Sequence, residues 1–198
     1  MSVHEKMNSE TKQAIKHALI SQIEMVGFER VTVKELALTA KINRGTFYLH
    51  YTDKFAVMED IQQELLHHLA ECVQKIRLLD ATHTIQAGQL YPPFVEVIHY
   101  IKEQATFFRV LLGEQGSPVF SIGVKNIFSE QILQNLIMIQ ADKLDMEFSK
   151  YLRAFISSAV LGVIQEWLAN GNEQLSVEKL SMIHFRLMKF LGEMWSYN

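Results

Sequence analysis

Residues 31–54, VTVKELALTAKINRGTFYLHYTDK, hold two short helical patterns separated by a three-residue turn, each opened by its own cap. Thr32 can accept from the free amides that begin the first, and Glu35 can reach back to it in a capping box. The inward face of that helix is Val33, Leu36, Ala37 and Ala40. Lys41, Ile42 and Asn43 make the turn, and Asn43 caps a second helix from Arg44 to about Tyr51. Two short helices joined in this way form a helix-turn-helix. Upstream, a helix beginning at Ser9 carries Ile15, Ala18, Leu19, Ile23 and Val26 on one face. Gly27 ends it as a left-handed C-cap, with Phe28 folding back on the last turn.

Downstream, Thr52 or Asp53 caps a long helix whose apolar stripe runs Phe55, Met58, Ile61, Leu65, Leu69, Cys72, Ile76, Leu79. That is about 26 residues, or roughly 40 Å at 1.5 Å per residue. The polar stretch from Asp80 to Tyr91, interrupted by Gly88, reads as a loop. Pro92-Pro93 start a helix through about Lys102. Thr106 to Leu112 is a short apolar helix stopped by Gly113. Ser117-Pro118 opens another to about Gln140, with Gly123 as its weak point. Phe148 to Ala169 is helical, and Ser176 caps a last helix with Leu180, Ile183, Leu187, Phe190 and Met194 on its apolar side. The expected fold is all-α, with a three-helix helix-turn-helix domain over residues 1–54 and a helical bundle over residues 55–198.

Composition agrees with helices. Of 198 residues, 48% are apolar, and three prolines and nine glycines are few for a protein built from many tight turns. A single cysteine, Cys72, excludes an intrachain disulfide framework and a cysteine-rich metal site. It suits a reducing cytoplasm, and on the apolar face it reads as packing. The uncharged run Ala154 to Gln165 is too short to span a bilayer, so no membrane association is expected. Net charge is −3, yet residues 1–54 carry 8 Lys+Arg against 6 Asp+Glu. The basic side of this small asymmetry falls on the helix-turn-helix.

The second helix of such a motif can enter a major groove, its first turn near base edges and its flanks near phosphates. Arg44 can offer a fork to guanine, Thr46 a hydroxyl and a methyl, and Tyr48 and His50 donors to phosphate oxygens. Gly45 has no side chain to hold the helix off the DNA. Thr32, Lys34 and Lys54 lie at helix starts, where anions are favoured. The runs Val31 to Ala37 and Ile42 to Tyr48, followed by His50-Tyr51 and Lys54, resemble the DNA-binding domain of the TetR family over about residues 10–58. The resemblance implies DNA contacts at Thr32, Lys34, Arg44, Gly45, Thr46, Tyr48, His50 and Lys54. It also implies a helical C-terminal domain that dimerises through its last two helices and holds a small-molecule effector. Candidates for the effector pocket are Leu69, Ile98, Phe108, Ile132 and Trp167. Candidates for dimerisation are Ala154, Ser158, Gly162, Leu180, Leu187 and Phe190, although the small-residue strip at Ala154, Ser158 and Gly162 could equally serve packing within one chain.

Two positions depart from the family's pattern. Its turn usually has glycine where this chain has Lys41, and a non-glycine residue in a left-handed turn costs about 1 kcal/mol. Tyr51 stands where phenylalanine is more usual. The expected function is a homodimeric repressor that binds a near-palindromic double-stranded DNA operator and is released by an effector, without metal or cofactor. An enzyme on a helical scaffold is the alternative from another class, but the sequence has no nucleophile with a base at usable spacing, no phosphate loop and no metal-ligand cluster. His67 and His68 are adjacent and face different directions on a helix, so they do not form a chelating pair. A protein-interaction module that had lost DNA binding would not need Arg44, Tyr48, His50 and Lys54.

Overall fold

The computed structural model describes residues 3–138, 145–169 and 175–195, and these are helical throughout, with no strand among the described residues. The helices are α1 (Val3–Val26), α2 (Val33–Thr39), α3 (Arg44–His50), α4 (Lys54–Val73), α5 (Leu78–Gln86), α6 (Pro92–Glu103), α7 (Ala105–Leu112), α8 (Pro118–Met138), α9 (Met146–Ala169) and α10 (Val177–Trp195), with a 3₁₀ turn at Phe28–Arg30. They form two compact units, one comprising residues up to Leu65 together with Val110–Pro118, the other Leu66–Arg109 together with residues from Val119 onward. The division falls inside α4, not at its start.

In the first unit, Ile15, Leu19, Ile20 and Ile23 of α1 are at most 1% exposed, as are Leu36, Phe47, Val57 and Ile61. The i, i+4 spacing of the α1 set is what one face of a helix supplies. That helix starts before Ser9, because the polar residues ahead of it are good helix formers and nothing there breaks the ladder. Gly27 does end it, but at φ 78°, ψ 151°, a conformation essentially restricted to glycine and different from the expected left-handed cap. Extended ψ sends the chain away from α1 and into the 3₁₀ turn. Phe28 therefore meets Phe55 edge-on, with ring centroids 5.3 Å apart, and does not fold back on α1.

The second unit is built around Leu69, Ile101, Phe108, Phe120 and Val124, all at most 1% exposed. Phe108 lies edge-on to Phe120 at 5.4 Å and to Tyr100 at 6.0 Å, the geometry that ring quadrupoles favour. α10 packs on α6, where the His184 ring stacks on Phe94 at 3.9 Å. Gly123 does not weaken α8. A Cβ there would lie 2.7 Å from Leu66 Cδ1, so the glycine permits a close approach to α4.

Two expectations fail in this unit. α4 stops at Val73 after 20 residues, and the first part of the stretch expected as a loop, residues 80–86, belongs to helix α5, while residues 87–91 are non-helical with Gly88 at φ 71°. Neither Gly nor Pro marks the break. Distant side chains make it: Asn135 accepts from the Leu78 N–H (2.8 Å) and donates to the Ile76 carbonyl (3.0 Å). Gln131 donates to that same carbonyl (2.7 Å), and the Tyr91 hydroxyl accepts from the Arg77 N–H (2.9 Å). Groups orphaned by the interruption are thus satisfied without helix. The buried stripe of α4 accordingly shifts to Val57, Ile61, Leu65, Leu69 and Val73, leaving Phe55 and Leu79 exposed.

By length and composition α9, with 24 residues, could cross a bilayer. Arg153 and Glu166 bound the uncharged run Ala154 to Gln165, and the helix continues past both. Its face Ser157, Val160, Leu161, Ile164, Trp167 and Leu168 is buried within the protein, as in a core helix.

Candidate nucleic-acid interface and ligand cavity

The start of α2 is the expected capping box. Thr32 Oγ1 accepts from the Glu35 N–H, and the Glu35 carboxylate accepts from the Thr32 N–H (3.2 Å) and hydroxyl (2.9 Å). Its end is a Schellman motif: the Ile42 N–H reaches the Ala37 carbonyl (2.9 Å) and the Lys41 N–H the Leu38 carbonyl (3.1 Å). Lys41 occupies the left-handed position at φ 56°, the one positive φ outside glycine among the described residues. Asn43 then caps α3, its Oδ1 accepting from the Thr46 N–H (2.7 Å) and hydroxyl (3.1 Å). Gly45 sits beside that cap, where an added Cβ would lie 3.1 Å from Asn43 Oδ1.

Phe47 is fully buried and Tyr51 nearly so. At 100° per residue Gly45 and Leu49 lie opposite Phe47 on α3, and these two with Arg44 and Tyr48 are exposed to solvent. Arg44 Nη2 is 3.4 Å from the Tyr48 hydroxyl, a weak link that leaves the guanidinium edge available. Leu49, 83% exposed, was missed by sequence reading, although an apolar residue off the Phe47 stripe was the available signal. Lys34 and Lys41 are exposed, and His50 is half-buried on the flank of α3. Three expected contacts already have partners. The Thr46 hydroxyl, half-buried, is the one that donates to Asn43 Oδ1. The Thr32 hydroxyl is spent on the capping box. Lys54 donates to the carbonyls of Phe28 and Glu29, both at 2.9 Å, with its ammonium 4.8 Å from the Phe28 ring centre. Lys54 clamps the turn after α1.

Tyr51 explains its own departure from phenylalanine. Its hydroxyl donates to Asp60 of α4 (2.6 Å), and Lys16 of α1, itself buried, pairs with Asp60 (3.0 Å) and Glu64. Burial pushes the Tyr51 hydroxyl far above the usual phenol range, and the bond to Asp60 adds to that. Burial also acts to raise the Asp60 carboxyl, but the hydrogen bonds from Tyr51 and Lys16 and the charge of Lys16 outweigh it and hold it low. The end of α3 is thereby tied to α4 and α1.

The second unit contains a cavity of about 560 Å³, inside the range of small-molecule sites. Its walls are mostly apolar, Val73, Phe94, Phe128, Ile132 and Leu136 among them, with Ser181 and His184 of α10 on one side. Of the five residues expected there, it contains Ile132. Leu69 and Phe108 are solid core at 0% exposure, while Ile98 and Trp167 border a separate void of about 20 Å³. Burial lowers the His184 imidazole to about 4.

Residues 88–189, more than half of the chain, match the family described as transcriptional regulator C-terminal region, and residues 16–61 match bacterial regulatory proteins, tetR family. The chain belongs to the TetR family. It is 24% identical over 192 residues to the HTH-type transcriptional regulator YxbF of Bacillus subtilis, a match covering 96% of this chain and 48% of that protein. The chain thus spans about half the length of this curated relative. Its fold is similar to that of a TetR-family regulator from Syntrophomonas wolfei (TM-score 0.61, 14% identity, 93% and 95% of the two chains). A TetR regulator from Streptococcus agalactiae is as similar (TM-score 0.61, 19% identity, 93% and 97%).

In this TetR-family chain, Ala154, Ser158 and Gly162 all face outward on α9, and a Cβ at Gly162 would meet nothing within 4 Å. Among the described residues nothing packs on this strip. Tyr151 and Phe155 beside it are 63% and 57% exposed, and Leu187 and Phe190 of α10 are 40% and 59% exposed. Leu180 is buried in its own unit and offers nothing to a partner. Met194, also placed on that apolar side, lies where no side chain is described, and Gln140, the expected end of α8, lies outside the described residues.

Proposed function

We propose that this protein is a DNA-binding repressor that acts as a homodimer on a near-palindromic operator and is released by a small-molecule effector. The observation that carries the reading is the capped α2–α3 pair presenting Arg44, Gly45, Tyr48 and Leu49 on the solvent side of α3. Arg44 is suited to guanine, Leu49 to a thymine methyl, and Tyr48, Lys34 and Lys41 to phosphates. Membership of the TetR family supports the same assignment.

One such motif reads only a few base pairs at about 1–3 kcal/mol each, so two are needed to single out a site. A two-fold dimer spaces its recognition helices by about 34 Å. The outward strip on α9 with its exposed aromatic neighbours supports self-association, since four large apolar side chains left in water on adjoining helices are costly. The cavity supports effector control: a ligand preferring one conformation of the second unit shifts the population away from DNA binding.

Selection of genomic fragments by the purified protein, followed by footprinting, tests the reading. Arg44→Ala is expected to weaken the selected site by about 1–3 kcal/mol and relax preference at one base pair. Tyr48→Ala is expected to weaken all sequences alike and to leave the salt slope unchanged, because a neutral hydroxyl on a phosphate releases no counterion. Unchanged affinity in both variants would refute the interface. Gly162→Arg is expected to give monomers in sedimentation and to abolish operator binding at concentrations that saturate the parent.

A further inference from the structure

The polar groups along the cavity wall differ in whether they already have partners. Asn135 and Gln131 hold the break between α4 and α5, and the Tyr91 hydroxyl accepts from the Arg77 N–H. Thr82 returns its hydroxyl to the Leu78 carbonyl of its own helix. Ser181 is different. It is 3% exposed, and its hydroxyl makes no hydrogen bond among the described residues. A serine within a helix ordinarily satisfies itself on the carbonyl one turn back, and Ser181 does not. An unmet hydroxyl in a buried wall costs free energy that an occupant with a matching polar atom recovers.

Charge narrows the occupant further. Among the lining residues Lys189 alone carries a formal charge, and it is exposed to solvent. His184, stacked on Phe94, is held neutral by burial and offers no counter-charge at neutral pH. Away from Lys189, a buried anion or cation would meet only apolar and dipolar walls, and its desolvation would go uncompensated.

We infer that the cavity takes a neutral amphiphile, an apolar body filling the space between Phe94, Phe128 and Ile132 with one uncharged hydrogen-bonding group on Ser181 Oγ. This inference rests on the cavity being the effector site of the proposed function, and it goes further by naming the ligand's charge state and its anchor.

The test uses the full-length protein and the fluorescent hydrocarbon 1,6-diphenylhexatriene, displaced by decan-1-ol or by decanoate. The hydrocarbon is expected to bind the parent protein and to bind Ile132→Trp more weakly, because the larger ring narrows the cavity. Decan-1-ol is expected to displace it at least about ten-fold more effectively than decanoate, given the cost of burying an unpaired charge. Ser181→Ala is expected to weaken decan-1-ol by about 2- to 10-fold, the range of one net hydrogen bond. It should leave hydrocarbon binding unchanged, which also reports that the variant is folded. If the hydrocarbon does not bind, or Ile132→Trp does not weaken it, the effector-cavity reading itself fails. If both hold but decanoate matches decan-1-ol, or Ser181→Ala leaves decan-1-ol unaffected, the cavity stands and the neutral-amphiphile inference is overturned.

Discussion

Replacing Lys41 by glycine should make the protein more stable, although it removes a side chain and adds none. Lys41 sits at φ 56° in the Schellman turn between α2 and α3. There its Cβ crowds the following carbonyl, at about 1–2 kcal/mol for an L-residue. Glycine removes that penalty but loses about 0.4–1 kcal/mol more backbone entropy on folding. The difference is a gain of about 0.5–1 kcal/mol. For a chain of this size each kcal/mol shifts Tm by about 2–4 °C, so Lys41→Gly should melt about 1–4 °C higher. Lys41→Ala separates conformation from charge, because it keeps the strained φ and loses only the exposed ammonium. Its Tm should stay within about 1–2 °C of the parent, as for other surface changes. Scanning calorimetry on the three proteins decides the matter. A Lys41→Gly protein melting at or below the parent, with Lys41→Ala unchanged, would refute the strain argument. In the DNA assay the two variants should lose the same salt slope, about 0.9 if the ammonium meets one phosphate.

Asn135→Leu fits the buried site but orphans the Leu78 N–H, so a loss of about 1–3 kcal/mol is expected, read as a lower Tm and as faster hydrogen exchange at Leu78. Acid should act through His184. Its folded value of about 4 lies below the ordinary 6.5, so its contribution is complete above pH 6.5 and declines as pH falls toward 4. The loss is about 2 kcal/mol by pH 5, and His184→Phe should melt with a visibly flatter dependence between pH 7 and 5.

What was legible in the sequence is what is decided locally. Thr32 with Glu35, Asn43 with Thr46 and Asp53 with Ala56 are all contacts between residues three apart, so residue type and spacing suffice to identify them. Lys41 as an unusual turn residue was legible for the same reason. Gly27 was legible in part: a positive φ was needed, but ψ, which decides where Phe28 goes, depends on Phe55, far along the chain. Tyr51 was seen as a departure but not understood, since Asp60 and Lys16 had first to be brought to it. The cavity was the least legible. Periodicity marks which face of a helix turns inward, and on that ground Leu69 and Phe108 were reasonable choices. Whether the space beyond a face is filled depends on side-chain volumes from several helices at once, and there Leu69 and Phe108 meet solid packing while Ile132 meets a void.

The break after Val73 connects these two kinds of information. Continued as one helix, the chain would have carried Ile76 and Leu79 along the stripe begun at Phe55, and no backbone group would have needed outside help. The break instead frees the Ile76 carbonyl and the Leu78 N–H, and Asn135 and Gln131 meet both from α8. Those four residues also line the cavity. The wall is therefore made partly of the joint itself, so an occupant that pressed on Ile76 or Leu78 would act directly on the hydrogen bonds that hold the joint between α4 and α5. α4 runs unbroken from Lys54, which follows α3, to that joint. A regulator needs some element whose geometry a ligand can bias. A joint held by side chains 55–59 residues away in sequence is a better candidate than a turn closed only by its own neighbours, because those side chains can yield without unfolding the helices on either side.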